Sequence, residues 1–139
     1  MSTQLRGFTD ALNTQLVAAA ITNQIAWPNV VYVPKKGTYY LSVANAGRAR
    51  APVGFGADGV QRWTGVYQVG VFAPRDSGDR EQDGLASKVL AAFPRGLTLP
   101  NTRGSPVIVE FSSAATAVAS GDWSQLPVSI NWFATETTS

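Results

Sequence analysis

The alternation of side chains over residues 61–72 constrains the fold more than any other feature of the sequence. In a β-strand, successive side chains point to opposite faces, so residues two apart share a face. The bulky apolar side chains of this segment fall on one face: Trp63, Tyr67, Val69 and Val71. Thr64, Gln68 and Gly70 fall on the other. The pattern predicts one long strand with a buried face.

Shorter alternations predict four further strands. Two lie near the C-terminus: Val107, Val109 and Phe111 alternate in the first, and Leu126, Val128, Ile130 and Trp132 alternate in the second. Two more are rich in Val and Tyr, at residues 29–33 and 38–44, and are separated by Pro34-Lys35-Lys36-Gly37. A short connection that contains Pro and Gly predicts a hairpin.

Helical spacing of apolar residues occurs twice. In the first twenty residues it involves Leu5, Phe8, Leu12, Leu16 and Ala19, and around residues 80–93 it involves Leu85, Val89 and Phe93. Asp79 is an N-cap residue for the second helix, and Gln82 three positions later completes a capping-box pattern. Pro94 and Gly96 are expected to end that helix.

The order of these elements predicts an α+β fold: a mainly antiparallel or mixed β-sheet with two helices packed on one face. The 139 residues are the size of one domain, which we expect to span residues 1–139. Two segments rich in small residues are predicted to be long loops, at about residues 45–60 and 112–122. Loops of that length in a compact domain are usually functional or disordered.

The residue types argue against an enzyme. The chain has no cysteine and no histidine, which removes thiol nucleophiles, the commonest general base and most zinc ligands. The acidic residues Asp76, Asp79, Glu81 and Asp83 are better explained as the start of a helix, where the helix dipole favours negative charge. The glycines of residues 54–59 lack the spacing of a phosphate-binding loop. We therefore expect no catalytic site, no cofactor and no metal.

The charged residues separate into two groups that could contact partners. The basic group comprises Lys35, Lys36, Arg48, Arg50 and Arg62; the following segment, 75–83, is mainly acidic and includes Arg75, Asp76 and Asp79. Such groups can dock head to tail with a copy of the same chain. They can equally be solvated surface, and the basic group could contact an acidic protein or nucleic acid.

The low content of charged residues is consistent with a surface that contacts other proteins. Charged residues make up 14% of the chain, against about 25% in soluble domains. We expect Phe55, in the glycine-rich loop, to anchor in a neighbouring surface, although a plain disordered loop explains it as well. Trp123 is a second aromatic contact residue, because it follows a loop of small residues. No apolar run approaches the length of a membrane span, and no secretory signal pattern is present.

Several segments resemble the small tail-terminator proteins of long-tailed phages, which are related in role to the lambda-type terminator. The resemblance involves Trp63-Thr64-Gly65-Val66-Tyr67-Gln68-Val69, Val71-Phe72-Ala73-Pro74, Ala91-Ala92-Phe93-Pro94-Arg95-Gly96 and Gly121-Asp122-Trp123. It also involves Leu126-Pro127-Val128-Ser129-Ile130-Asn131-Trp132. Each segment alone is unspecific, but their order covers nearly the whole chain.

The resemblance implies a structural virion protein that forms a hexameric ring at the head-proximal end of the tail tube. Such a ring stops addition of the tube protein and offers a surface to head–tail connector or neck proteins, with DNA only passing through the lumen. It implies a place in the virion tail, reached by assembly in the host cytoplasm. Another neck, head–tail joining or tail-completion protein is the alternative, and a small nucleic-acid-binding domain is a third.

Overall fold

A computed structural model describes residues 3–19, 25–28, 30, 33, 38–52, 60–74, 80–101, 105–121 and 123–137. Two helices and seven strands follow one another in this part of the chain. They are α1 (Thr3–Ala18), β1 (Ile25–Ala26), β2 (Tyr40–Pro52), β3 (Val60–Pro74), α2 (Arg80–Ala92), β4 (Thr98–Leu99), β5 (Val107–Ala114), β6 (Val118–Ser120) and β7 (Trp123–Thr137).

The strands form one mixed sheet in the order β1-β2-β3-β7-β5-β4, with β6 also paired to β7. Only β1 and β2 are parallel; the other pairs are antiparallel. The centre of the sheet is the pairing of β3 with β7, which runs without a break from Val60↔Thr137 to Pro74↔Trp123. The predicted α+β class with a mixed, mainly antiparallel sheet is confirmed.

Both helices pack on the same face of this sheet, which we call the helix face; the opposite one is the far face. The buried apolar side chains of α1 are Phe8, Ala11, Leu12 and Leu16, and those of α2 are Ala86 and Val89. They pack in one core with alternate residues of the strands: Leu41, Val43, Tyr67, Val69, Val71, Val107, Val109, Leu126, Val128, Ile130, Trp132 and Ala134. Alternation along the strands thus places the core as predicted.

Tyr67, on β3, contacts both helices. Its hydroxyl donates a 2.6 Å hydrogen bond to Oδ1 of Asn13 on α1, and its ring centroid lies 6.0 Å from that of Phe93, just after α2. The side chain is 0% exposed, and burial raises the pKa of Tyr67 well above its ordinary value. One residue at the centre of the sheet therefore fixes the position of both helices.

Gln82, in the first turn of α2, has contacts that the sequence did not predict. Its side chain is 1% exposed and points into the core. Its Nε2 donates hydrogen bonds to the carbonyl oxygens of Val71 (2.9 Å) and Ser124 (2.8 Å). Because those carbonyls belong to β3 and β7, the buried amide ties α2 to the central strand pair. Asp79, the predicted cap, lies outside the described residues.

The two predicted long loops are largely strand. Residues 45–52 continue β2, and Val60 begins β3, which leaves only residues 53–59 outside the described part of this range. In the second range, residues 112–114 belong to β5 and 118–120 to β6. Ala, Gly, Asn and Ser have low strand propensity, so these segments read as loops in isolation. Pairing with β3 and β7 overrides that preference.

The orientation of Phe111 was wrong in the sequence-based prediction. Phe111 should have shared the buried face of Val107 and Val109, yet it is 49% exposed. The register of β5 on β7 shifts between Val109 and Phe111, so Glu110 is an extra residue, a β-bulge. A bulge inverts the alternation, and the next residue, Ser112, faces the helices and donates a hydrogen bond to the carbonyl oxygen of Phe93.

The predicted hairpin of residues 29–33 and 38–44 depends largely on residues outside the described part of the chain and stays a prediction. Residues 25–26 form the parallel partner of β2, at Leu41 and Ser42. Val30 and Val33 lie outside the strands, and the other residues of 29–33 fall outside the described part of the chain.

Within the described part of the chain, neither helix has the length and apolar character needed to cross a membrane.

Candidate functional site

One end of the β2–β3 hairpin is an exposed stretch of β2 that pairs with β3. We call this end the arm; it comprises residues 44–52 of β2 and 60–66 of β3. Residues 46–51 of β2 are all exposed. They are small residues and two arginines, which offer little apolar surface to bury. The arm is held by its ladder to β3 rather than by a core of its own.

A β-bulge in the arm sets the direction of its two arginines. The register of β2 on β3 shifts between Asn45 and Gly47, so Ala46 is the extra residue. Beyond it, Arg48 pairs with Gly65 and Arg50 with Trp63, on the helix face. Without that extra residue both side chains would point to the far face, because strand side chains alternate.

Both arginines have intramolecular contacts that a partner could replace. Nη1 of Arg48 donates a long, 3.5 Å hydrogen bond to Oγ1 of Thr9 on α1. The guanidinium of Arg50 lies 5.3 Å from the ring centroid of Trp63, a cation–π contact. At exposed positions such contacts stabilise a fold by about 1 kcal/mol or less. The arm therefore presents two positive charges beside the first helix at little cost to folding.

Arg62 belongs to the far face and has its own acidic partner. Its Nη2 lies 3.6 Å from Oε2 of Glu110, with side chains 41% and 48% exposed, and its Cζ lies 4.2 Å from the ring centroid of Phe133. The basic residues grouped by the sequence are thus divided between the two faces of the sheet. Arg48 and Arg50 form one group, and Arg62 is separate.

The described acidic residues of the segment 75–83 lie at the opposite end of the sheet from Arg48 and Arg50. Glu81 and Asp83 are exposed in the first turn of α2. From Gly65, the partner of Arg48, to Pro74 the strand runs about 30 Å at the usual rise per residue. Basic and acidic groups are therefore separated along the strands. Six predicted contact residues lie outside the described part of the chain and stay predictions: Lys35, Lys36, Phe55, Arg75, Asp76 and Asp79.

Trp123 lies in an aromatic cluster on the far face. The rings of Tyr40 and Phe72 stack with centroids 4.7 Å apart and planes 7° apart. Trp123 meets Tyr40 edge-on, at 5.1 Å and 86°, and is half-buried. Sequence reasoning singled out Trp123 but missed its two partners. Alternation from Val71 to Phe72 was the available signal, since it places Phe72 opposite the core.

Two exposed apolar side chains, also missed from sequence, mark the edge of the sheet opposite the arm. Phe111 on β5 is 49% exposed and Val118 on β6 is 62% exposed. Both residues lie on the far face, because they are paired with far-face residues of β7: Phe111 with Asn131, and Val118 with Gln125. Exposed large apolar side chains on a strand edge are typical of a surface that another chain covers.

Two depressions in the described part of the chain are open to solvent. A depression of about 420 Å³ on the arm is lined by Gly47, Arg48, Ala49, Thr64, Gly65, Val66, Glu110, Asn131 and Trp132. A second of similar size is lined by Asn13, Thr14, Val17, Ala18 and Trp27. Among the described residues there is also no group of three or more acidic side chains placed to hold a metal ion. The notable surface features of the described residues are therefore the arm, the strand edges of the sheet, and the exposed side chains of Phe111 and Val118.

Comparisons with known proteins agree with the resemblance seen in the sequence. A family described as phage tail terminator protein matches residues 8–132. One solved structure is 23% identical, with a TM-score of 0.72 and 96% of each chain covered. A chain from the virion of a native gene transfer agent particle is 18% identical, with a TM-score of 0.66 and coverage of 96% of this chain and 99% of that one. No curated protein matches.

The two solved structures share the fold, and the family match extends from the first helix to the last strand of the sheet. It includes both helices, the arm and the exposed edge that carries Phe111 and Val118. The chain therefore belongs to the phage tail terminator protein family, whose members have a structural role in the phage tail.

Proposed function

We propose that this chain is the tail terminator subunit that closes into a hexameric ring at the head-proximal end of the tail tube. The ring stops further addition of tube protein and provides the surface to which the neck attaches. The family match over residues 8–132 is the observation that carries this proposal. The hexamer and the tube-stopping activity come from the resemblance to lambda-type terminators.

The distribution of surface features supports a ring placed between two different partners. A ring of identical subunits needs one patch that meets a different patch on its neighbour. The two side edges of this sheet differ: one carries the arm and the other carries Phe111 and Val118. Its two ends also differ, since Arg48 and Arg50 lie at one and Glu81 and Asp83 lie at the other.

The proposal includes the following partners and place of action. The subunit binds copies of itself, the tail tube protein and a head–tail connector protein, and DNA passes through the lumen. It acts in the virion tail after assembly in the host cytoplasm, without a cofactor, membrane or catalysed reaction. We also propose the single domain 1–139 and the ten predicted partner-contact residues as part of this hypothesis.

Electron microscopy of tails assembled with and without the protein tests the proposal. We expect tails of uncontrolled length in its absence and one uniform length when the wild-type chain is supplied. A ring of density should cap the head-proximal end only in the second sample. Uniform tails that fail to join heads would instead indicate a head–tail joining protein. Steeply salt-dependent DNA binding by the free chain would support the nucleic-acid-binding alternative.

A further inference from the structure

We infer that neighbouring copies in the ring join by β-strand addition. In this arrangement, the outer edge of β2 in one copy pairs antiparallel with the outer edge of β5 in the next. The sheet then continues from subunit to subunit. The inference rests on the proposed ring and names the surface that closes it.

The first surface is the outer edge of β2 in the arm. β1 pairs only with Leu41 and Ser42, and within the described residues no strand pairs with that side of residues 43–49. A strand edge of this kind presents unpaired backbone N–H and C=O groups, which are a template for another strand. On the far face it carries small residues, including Ala44, Gly47 and Ala49, which let a neighbouring chain approach closely.

The second surface is the outer edge of β5 on the opposite side of the sheet. The edge is occupied as far as Val109, which donates a 2.9 Å hydrogen bond to the carbonyl oxygen of Leu97 and accepts a 2.8 Å bond from the N–H of Gly96. Beyond it, nothing in the described part of the chain pairs with the outer side of residues 111–114. Phe111 lies on this open stretch and is 49% exposed, which in an isolated subunit leaves apolar surface in water.

Strand directions make these two edges compatible. β2 is antiparallel to β3, β3 to β7, and β7 to β5, so β2 and β5 run in opposite directions. If a rotation about an axis along the strands generates the next copy, β5 of one meets β2 of the next as an antiparallel pair. That contact is heterologous, and a heterologous contact closes into a ring when its rotation closes.

Charge favours this pairing over the self-pairing of two β2 edges. Two β2 strands side by side would bring Arg48 and Arg50 of both copies together, and like charges on neighbouring strands are destabilising. Residues 107–120, by contrast, contain one charged residue, Glu110, and no basic one. Pairing β2 with β5 therefore brings the basic arm toward an edge that carries no positive charge.

Side-chain alternation selects a register. If Phe111 of one copy lies opposite Gly47 of the next, an aromatic ring covers a glycine on the far face, a known way to stabilise strand glycines. The phenyl group of Phe111 then approaches the depression of about 420 Å³ that Gly47, Thr64 and Val66 of the next copy help to line. Allowing one extra residue for the bulge at Ala46, the same register places Ala44 opposite Ser113.

Cysteine cross-linking tests this contact directly, because the chain has no cysteine of its own. In the variant A44C/S113C, both positions are exposed. Within one molecule, β3 and β7 separate them by about 14 Å, three strand spacings, whereas a disulfide needs Cα atoms within about 7 Å. Any disulfide is therefore intermolecular. We expect oxidation of capped tails to give a ladder of covalent oligomers ending at the closed ring, with no ladder for A44C/S87C.

The single variants and a second chemistry separate the alternatives. A44C alone and S113C alone should stay monomeric; efficient dimers of A44C would show β2 self-pairing and overturn the inference. Cross-linking with a short bismaleimide in place of oxidation allows for a register that differs by one residue. If A44C/S113C does not fold, the variant A46C/S113C takes its place. Uniformly capped tails without a ladder would refute edge pairing but leave the proposed function intact. Unchanged tail length in the absence of the chain would refute the function itself.

Substitution of the exposed aromatic residue gives an independent readout. F111S should lower the denaturant midpoint of the free subunit only slightly, because about half of the Phe111 side chain is already exposed there, but it should reduce tail capping by about tenfold or more, since the exposed half of the side chain contacts the neighbouring copy. The matched control is V17S, at an apolar position on α1 that is 57% exposed and away from both edges. Equal capping by F111S and wild type would contradict the inference.

Discussion

The two halves of the β2–β3 hairpin share one ladder but differ in what holds them. In the half near Pro74, every second residue of β3 is 0% exposed: Tyr67, Val69, Val71 and Ala73. In the arm, residues 46–51 of β2 are all exposed. Burial of apolar surface stabilises the first half, and pairing with β3 holds the second in place. One half is therefore held by the buried core, and β2 in the other half is left exposed.

Consecutive residues of β7, paired with Gly65 and Thr64 of the arm, give the largest expected contrast. Trp132 is 1% exposed, and its ring centroid lies 5.0 Å from that of Phe8; Phe133 is half-buried on the far face, under Arg62. W132A should lower the free energy of unfolding by about 3–5 kcal/mol. F133A should lower it by less than half as much. Urea denaturation of both variants measures the contrast, and equal losses would show that the far face is as well packed as the core.

Two glycines, each in the β2–β3 ladder, provide the next contrast. A Cβ atom on Gly65 would lie 2.5 Å from Cζ2 of Trp132, whereas one on Gly47 would meet no atom within 4 Å. Because the indole is buried and cannot move aside, G65A should cost about 1–3 kcal/mol. G47A should change stability by about 0.5 kcal/mol or less. Thermal unfolding distinguishes them; a neutral G65A would mean that Trp132 has room to shift.

The hydroxyl of Tyr67 should have a smaller effect that depends on pH. Loss of its hydrogen bond to Asn13 in Y67F is expected to cost about 1 kcal/mol near neutral pH. Because burial raises the pKa of Tyr67 in the folded state, the folded protein keeps a proton that the unfolded chain loses above about pH 10. Stability supplied by the neutral phenol is therefore present below that pH and is lost as pH rises.

Y67F should accordingly have a shallower loss of stability than wild type on the alkaline side. Urea midpoints measured from neutral pH to about pH 11 record both slopes. Parallel slopes would mean that the phenol is accessible to water in the folded protein.

A small change in stability, with a larger effect on assembly, is expected for the two arginines of the arm. Within the described residues, R48E/R50E removes a long hydrogen bond and a cation–π contact at exposed positions; contacts of this kind contribute about 1 kcal/mol or less each, so the loss of stability in the free subunit should be small. Ring formation or tube capping should be weakened, as seen by electron microscopy of tails. K88E, at an exposed position on α2, is the control for added negative charge. Unchanged capping by R48E/R50E would remove these residues from the interface.

Sequence reasoning succeeded where a segment contains large apolar side chains. The strand through Tyr67, both helices and the last strand follow from spacing alone, because bulky residues must be buried and their period reveals the element. It failed at residues 45–52 and 112–120, where small residues form strands. Those segments have little intrinsic strand preference, so only their long partners β3 and β7 stabilise the extended form.

The candidate site was harder to predict than the fold. Arg48, Arg50 and Trp123 were predicted as contact residues from sequence and stay predictions; the contact of Arg62 with Glu110 was not predicted. The exposure of Phe111 was also missed. The contact between Arg62 and Glu110 depends on the order of the strands, which brings β5 within reach of β3 across β7. The exposure of Phe111 depends on a single extra residue, Glu110, in β5.

By itself, the sequence determined which surfaces are buried: its periodicity sets the helices, the long central strand and the apolar core that they share. Tertiary structure alone decided which way the remaining side chains point. The bulges at Ala46 and Glu110 direct Arg48 toward the helices and Phe111 toward solvent. A shift of one residue exchanges the two faces of a strand, and that register is set by the neighbouring strands rather than by local sequence.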